Sequence, residues 1–249
     1  MTASAVFLAL AVGLSLGLLG GGGSILTIPI FRYALGFGVK ESIGMSLGVV
    51  SLVSGVGMLR HWRSGNVNFR ALAAFAPAAI LATYGGAKLA HFVPEPMQMV
   101  GLGMVMGVAA LLMWGGPVKV TPPVRGTDPG ARGVAFIVST GIALGFLTGV
   151  MGVGGGFLIV PALVLLLGLD MKQAVGTSLG AIALNAASGF VGYLGQVTMD
   201  WPLILGFSAV ASIGVFTGAA LVPKISQEHL RRGFSVFLIL IAAYILYRR

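Results

Sequence analysis

The stretch LGLLGGGGSILTIP, from Leu16 to Pro29, decides the fold, because its pattern returns as TGVMGVGGGFLIVP from Thr148 to Pro161. Each stretch has a cluster of glycines followed by a proline, and both lie within long apolar sequence. Glycine clusters and prolines both interrupt regular helices. The chain therefore carries the same helix break twice, at positions 132 residues apart.

The composition places these breaks in a membrane protein. Of the 249 residues, 57% are hydrophobic and only 8% are charged, whereas soluble domains carry about 25% charged residues. Apolar runs of about 20 residues, the length of a membrane-spanning helix, recur along the whole chain. The runs are continuous and do not alternate as barrel strands would. We therefore expect an all-α polytopic membrane protein.

Ten apolar segments are predicted, five on each side of a polar linker. They cover about 3–19, 24–36, 41–60, 69–92 and 96–114, and then 132–149, 157–168, 173–194, 201–223 and 230–247. The division predicts a first transmembrane repeat in 1–114, a cytoplasmic linker in 115–131 and a second repeat in 132–249. The two segments that follow the glycine clusters are shorter than an upright span. They are either half-helices or cross with help from their neighbours.

The two halves are related in sequence. When 13–48 is aligned without gaps to 145–180, 14 of the 36 positions are identical, including the glycine clusters and the prolines Pro29 and Pro161. Apolar bias alone would give some identities but would not align both breaks. Internal repeats with interrupted segments at corresponding positions are typical of transporters, where they mark the binding site.

The positions of the basic residues predict that the repeats have inverted topology. The loop between the third and fourth segments holds three arginines in the first half and no lysine or arginine in the second. The next loop reverses this bias, with Lys224, Arg231 and Arg232 in the second half. Because basic loops stay in the cytoplasm, equivalent loops face opposite sides, and each half must cross an odd number of times. Five crossings, or three crossings and a re-entrant pair, both satisfy this.

The duplicated break predicts one anion site near mid-membrane. A helix start offers free N–H groups and partial positive charge, and glycines let a ligand approach the backbone. We expect the helices that begin near Ser24 and Phe157 to point at this site. We also expect a larger side chain in place of Gly155 to abolish binding. The predicted site residues are Gly22, Gly23, Ser24, Thr27, Gly154, Gly155 and Gly156, with Thr177, Ser178 and Asn185 as side-chain donors and Pro29 and Pro161 as structural breaks.

Two alternatives to this site come from the same sequence. Isolated glycines in membrane helices usually serve close packing, and this is our interpretation of Gly141, Gly145 and Gly149. An arginine at a segment end, Arg32 or Arg60, could also hold the anion. Neither arginine has a basic counterpart in the second half, which argues against a shared central site built on them.

The residue inventory argues against an enzyme. The chain has no cysteine, and no His/Asp/Glu cluster has metal-ligand spacing, so we expect neither a metal nor a cofactor. The three histidines, His61, His91 and His229, lie at segment ends and are interpreted as interfacial. The tryptophans also lie at segment ends, as in an aromatic belt. The net charge of +9 is assigned to membrane orientation and not to nucleic-acid binding.

The glycine clusters, their prolines and the stretch AVGTSLGAIALNAASG at 174–189 resemble the sulfite exporter TauE/SafE family, also called the 4-toluene sulfonate uptake permease family. The resemblance covers nearly the whole chain. Half one departs from the pattern at Gly21, Ser24 and Met45. The resemblance implies a transporter of small sulfur-containing anions such as sulfite, thiosulfate or sulfonates in the inner membrane of a prokaryotic cell.

Secondary transport by alternating access, in the export direction, is our leading functional hypothesis. An anion channel, a membrane subunit of a larger complex and a proton-coupled uptake permease for sulfonates are the alternatives, and the sequence leaves the oligomeric state open. None of the six acidic residues lies mid-span, where proton-coupled carriers commonly keep one. We therefore expect efflux to run on the membrane potential alone, although Glu41, at a helix start, could relay protons.

Overall fold

The computed structural model describes residues 3–114, 131–151, 156–165 and 167–247, and almost all of these residues are helical. The α-helices are α1 (Ala3–Leu19), α2 (Gly22–Pro29), α3 (Val39–Arg63), α4 (Phe69–Leu89), α5 (Glu95–Trp114), α6 (Ala131–Met151), α7 (Gly156–Leu165), α8 (Met171–Tyr193), α9 (Trp201–Leu221) and α10 (Gln227–Tyr247). A π-helix follows α2 at Ile30–Ala34, and 3₁₀ turns follow α4 and α9.

The prediction of an all-α membrane protein is confirmed. The helices coincide with the predicted apolar segments to within a few residues at each end. Among the described residues, four stretches are long and apolar enough to cross a membrane: Val39–Arg63, Phe69–Phe92, Met171–Tyr193 and Trp201–Lys224. Shorter apolar helices accompany them at Ser4–Leu19, Pro96–Leu112 and Ala135–Met151.

Helices α3 and α8 form the antiparallel centre of the molecule. Gly48 of α3 packs against Phe190 of α8, whereas Gly57, further along α3, packs against Leu179. The residue numbers fall along one helix as they rise along the other, so the two helices run in opposite directions. Where they cross, the hydroxyl of Ser51 donates a 3.0 Å hydrogen bond to the carbonyl of Ala183. In each of these two helices, about two thirds of the most apolar part is buried inside the molecule.

Two pairs of parallel helices flank this centre, and both depend on glycine. Gly13 of α1 lies so close to α9 that a Cβ atom there would overlap the Ala211 carbonyl. Gly145 of α6 faces the Ala79 carbonyl of α4 in the same way, and Gly149 faces Thr83. The predicted packing role of Gly145 and Gly149 is confirmed. Because the hydrophobic effect does not drive helix association within lipid, close packing of the two backbones holds such pairs together.

The helix break at Pro29 has a local physical cause. Proline has no N–H group, so it cannot donate to the carbonyl four residues earlier. The helix widens directly after Pro29 into the π-helix Ile30–Ala34, where Leu35 N donates to the Ile30 carbonyl at 3.0 Å. The second short helix, α7, continues past Pro161 to Leu165. The two breaks are therefore similar in sequence and different in detail.

Aromatic side chains mark the helix ends. Trp62, Trp114 and Trp201 lie at the ends of α3, α5 and the start of α9, and each is about half exposed. Tryptophan prefers the membrane–water interface because its ring is apolar and its N–H is polar. These positions agree with the predicted aromatic belt.

Candidate site at the glycine turn

The first glycine cluster forms a tight turn between α1 and α2. Gly20 has a φ of +74°, a conformation that side chains with a Cβ atom rarely adopt. Its N–H donates to the Leu16 carbonyl at 2.8 Å, and the N–H of Gly21 donates to Leu19 at 2.9 Å. After this turn α2 folds back along α1, so that Gly23 packs directly on the backbone of the helix it has just left.

The turn contacts both α7 and α8 of the second half. A Cβ atom at Gly20 would lie 2.6 Å from Ser178 Oγ, 3.1 Å from Val160 and 3.1 Å from the Cα of Val175. The structure therefore brings Ser178, one of the predicted donors, onto the first glycine cluster. Helices α2 and α7 also contact each other, so the two short helices are neighbours.

The buried hydroxyls beside the turn are engaged with their own helices. Ser24 Oγ donates to the Gly21 carbonyl at 2.7 Å, Thr27 Oγ1 donates to Gly23 at 3.2 Å, and Ser178 Oγ donates to Val175 at 2.8 Å. Each oxygen keeps lone pairs but has used its hydrogen. Donors for an anion must therefore come from the first N–H groups of α2 and α7, which lack helical partners, or from other side chains.

Thr177 is not brought to the turn. Its Oγ1 accepts a 2.8 Å hydrogen bond from the backbone N–H of Asn68, just before α4. Asn68 in turn caps α4 by accepting from Ala71 N at 3.0 Å. Thr177 thus joins α8 to the start of α4, a structural role that the sequence analysis did not foresee.

Asn185 is the predicted donor with free hydrogen-bonding capacity. Its side chain is fully buried, and neither Oδ1 nor Nδ2 has a hydrogen-bond partner among the described residues. It follows Ser178 by seven residues, so both lie on nearly the same face of α8, and it is two residues from Ala183, where α3 crosses. A buried amide without partners costs about 1–3 kcal/mol. An arrangement this costly points to a ligand that supplies the missing partners.

In the described part of the interior, no charged side chain is available to bind the anion. Among the residues whose burial the structure describes, no lysine, arginine, aspartate or glutamate is buried. Arg32 donates to the Phe37 carbonyl in its own loop at 3.0 Å, and Arg60 reaches Ser64 near the end of α3. Both arginines are therefore occupied locally, at the ends of their segments.

The second glycine cluster is described only at its edge. Gly154 and Gly155 lie outside the described residues, and the predicted effect of bulk at Gly155 stays a prediction. Gly156 is the first residue of α7. Within the described ranges no group of three His, Cys, Asp or Glu side chains is placed to bind a metal ion.

The prediction that His61 is interfacial is wrong for its side chain. His91 and His229 are exposed, but the His61 ring is buried, with Nε2 3.2 Å from the Gly17 carbonyl and no partner for Nδ1 among the described residues. His61 follows buried Gly57 by four residues and Ser54 by seven, so it belongs to the buried face of α3. That helical spacing could have identified it from the sequence.

Long apolar helices, two short helices that contact each other and a few buried hydroxyl and amide groups in an apolar interior are typical of an integral membrane transporter. The family model "Sulfite exporter TauE/SafE" matches residues 5–245. The chain therefore belongs to the sulfite exporter TauE/SafE family, as the sequence resemblance predicts, and it is a transporter and not an enzyme.

Curated relatives from bacteria and an archaeon support this assignment. A "Probable membrane transporter protein" of Xylella fastidiosa (strain Temecula1) is 30% identical over 95% of this chain and 92% of the relative. The "Probable membrane transporter protein MJ0441" of Methanocaldococcus jannaschii is 28% identical over 90% and 89% of the two chains. YdhB of Bacillus subtilis, with the same descriptive name, is 26% identical over 86% and 89%. No solved structure gives a significant match.

Proposed function

We propose that this transporter exports small sulfur-containing oxyanions such as sulfite or sulfonates, and that it binds one anion near mid-membrane between the two glycine breaks. The family name points to sulfite. The observation that carries the site is Asn185, a fully buried amide that has no partner among the described residues and lies on the face of α8 that contacts the first glycine turn. Asn185 Nδ2 and the free N–H groups at the starts of α2 and α7 supply the donors.

A site made of neutral donors suits a carrier that must also release its ligand. Backbone N–H groups at a helix start bind anions without a buried cation. A buried lysine or arginine would itself need a partner after the anion leaves. The amide of Asn185 is uncharged in both states, so the unloaded protein buries no net charge at the site.

We further propose that the halves are inverted repeats related by a pseudo-twofold axis in the membrane plane. Helices α3, α4 and α5 begin at Val39, Phe69 and Glu95, and α8, α9 and α10 begin 132 residues later in each case. The equivalent helices α3 and α8 are antiparallel and joined between Ser51 and Ala183, which are also 132 residues apart. Equivalent helices that run in opposite directions cross the membrane with opposite topology.

Matching hydrogen bonds in the two halves support the same axis. Lys40 Nζ donates to the carbonyl of His91 at 2.9 Å, and Lys172 Nζ donates to the carbonyl of Pro223 at 3.0 Å. Each bond links residues 51 apart in sequence, at the start of the long helix and the end of the next. The same axis relates the helix pair α1–α9 to the pair α6–α4, because α6 is the counterpart of α1 and α4 is the counterpart of α9. Alternating access then becomes a movement of one packed unit against the other about a fixed site.

Single-cysteine labelling tests the inversion, because the chain contains no native cysteine. Ser64→Cys and Gln196→Cys place one thiol at each of two equivalent loops, after α3 and after α8. In right-side-out and inverted vesicles, we expect a membrane-impermeant maleimide to label them from opposite sides, with Ser64 cytoplasmic. Labelling of both positions from the same side would overturn the inverted repeat.

Transport in proteoliposomes tests the substrate and the energy source. An inside-negative potential favours anion efflux by about 2.3 kcal/mol per charge per 100 mV, roughly a fortyfold gradient for a monoanion. We expect efflux of radiolabelled sulfite that saturates, shows counterflow and continues on a potassium diffusion potential when the pH gradient is collapsed. Thiosulfate, sulfoacetate and sulfate in the same assay rank the substrates.

The possible results separate the alternatives. Linear flux without counterflow would indicate an anion channel, and complete loss of flux without a pH gradient at clamped voltage would indicate proton coupling. If neither sulfite nor any of the three other anions crosses the membrane, the proposed substrate class is refuted. Empty liposomes prepared in the same way control for leakage.

A further inference from the structure

His61 is a buried polar side chain to which the proposed function assigns no role. It lies near the end of α3, three residues before exposed Ser64. Its Nε2 is 3.2 Å from the carbonyl of Gly17, and Gly17 precedes the glycine turn at Gly20 by three residues. The ring therefore stands between the exposed loop and the glycine turn.

The hydrogen bond to Gly17 determines what the rest of the ring can do. A carbonyl oxygen can only accept, so Nε2 must carry the hydrogen. In the neutral ring Nδ1 is then a bare acceptor, and it has no partner among the described residues. In the protonated ring Nδ1 becomes a second donor, and it faces no acceptor in the described part of the chain. Only a ligand, an anion above all, would use that donor.

Among the residues that the structure describes, the neighbours of His61 offer no carboxylate to compete for this role. Helix α8 contacts it through Gly176, the following loop through Asn66 and α1 through Gly17, none of which titrates. The charged group beside the ring is the guanidinium of Arg60. The surroundings are thus neutral or positive, which suits a passing anion.

The corresponding position in the other half is chemically different. Tyr193 of α8 is 132 residues after His61, and its buried hydroxyl faces the amide of Gln98. That amide donates from Nε2 to the Val150 carbonyl at 3.1 Å, near the end of α6. Neither Tyr193 Oη nor Gln98 Oε1 has a further partner among the described residues. Both ends therefore hold buried polar groups, but only an imidazole changes charge between about pH 5 and 8.

We propose that His61 is a second binding residue for the transported anion, at the arginine-rich end, where Nε2 is held by Gly17 and Nδ1 hydrogen-bonds the anion on its way to the glycine turn. This inference rests on the proposed function, because it takes the same anion as its ligand. It makes the two ends unequal: binding strengthens on acidification at the His61 end and is independent of pH at the Tyr193 end.

Equilibrium binding to the purified full-length protein tests this. Sulfite, thiosulfate, sulfoacetate and sulfate are titrated at about pH 5 and about pH 8, the range over which histidine changes charge. The pH dependence is taken from thiosulfate, sulfoacetate and sulfate, because sulfite itself takes up a proton within this range. We expect wild type to bind at least one of them more tightly at the lower pH. His61→Gln keeps an amide near Nε2 for Gly17 but has nothing at Nδ1, so its affinity at low pH should fall about tenfold and become independent of pH.

Two further variants separate binding from folding. His61→Asn places an amide near Nδ1 and gives up the bond to Gly17, so it should keep part of the affinity and lose the pH dependence. It decides the question if His61→Gln cannot be purified. The control, His91→Gln, changes an exposed ring packed on Phe92 and should behave like wild type.

The outcomes distinguish this inference from the proposed function. If wild type binds an anion and both His61 variants keep its pH dependence, the inference is wrong and the proposed function stands. If none of the four anions binds to wild type at either pH, both fail. Loss of affinity in His61→Gln with the pH dependence intact would reduce His61 to a structural residue and would also overturn the inference.

Discussion

Replacement of Asn185 by leucine is expected to abolish sulfite transport while raising the thermal stability of the protein. Leucine has the same branched shape and the same number of side-chain heavy atoms as asparagine, and it removes two buried polar atoms that have no partners among the described residues. Relief of that penalty should contribute about 1–3 kcal/mol to folding. The same change removes the side-chain donor on which the proposed site depends, so anion affinity should fall at least about tenfold.

The measurement is paired: a melting temperature in detergent and sulfite flux in proteoliposomes for each variant. Ser188→Ala is the matched control on the same helix, because Ser188 Oγ donates to the Ile80 carbonyl at 2.8 Å and so supports the fold only. It should lose some stability and keep transport. Normal flux in Asn185→Leu would refute the proposed site, and a lower melting temperature would show that Asn185 has partners in the folded protein.

The second large effect is expected at the glycine contacts between the halves. In Gly13→Ala the new methyl group would overlap the Ala211 carbonyl, and in Gly145→Ala it would overlap that of Ala79. The clash is with backbone, which cannot rotate away, so each variant should lose about 3 kcal/mol of stability. Yield and monodispersity after extraction in a mild detergent should fall for both.

Gly85→Ala is the control for helix propensity. Gly85 lies within α4, and a Cβ atom there would meet nothing within 4 Å. Alanine in a helix is about 1 kcal/mol more favourable than glycine, so this variant should be at least as stable as wild type. Normal yields of Gly13→Ala and Gly145→Ala would contradict the close approach of α1 to α9 and of α4 to α6.

The sequence was sufficient to predict the helices, because in lipid the need to satisfy every backbone group leaves helices as the main option. Apolar run length and the glycine and proline breaks then set their ends. The widening of the helix after Pro29 was not predicted, since it depends on how the chain compensates for one missing N–H group. The packing of Gly145 on Ala79 was foreseen as a role, but its partner helix was not.

The candidate site was predictable only in part. Ser178 and Asn185 were chosen because they follow the glycine motif along one face, and the structure places Ser178 on the first turn. Thr177 looks equivalent in sequence, but its oxygen accepts a hydrogen bond from the backbone of Asn68, 109 positions away, which no local pattern predicts. The distance of His61 from the segment end does not show that its ring is buried. Burial follows from the helical face, which His61 shares with Ser54 and Gly57.

Helices α1 and α4 of the first half pack on helices α9 and α6 of the second half, and this has a consequence for biosynthesis. Helix α1 leaves the ribosome long before α9, yet the surface that covers Gly13 belongs to α9. Helix α4 likewise waits for α6. During translation the early helices stand in the bilayer with their glycine faces uncovered, and a chain truncated before α9 leaves them so. Quality control of this protein can therefore act by recognising an unpaired α1, and each half should be more stable when the two halves are expressed together than when it is expressed alone.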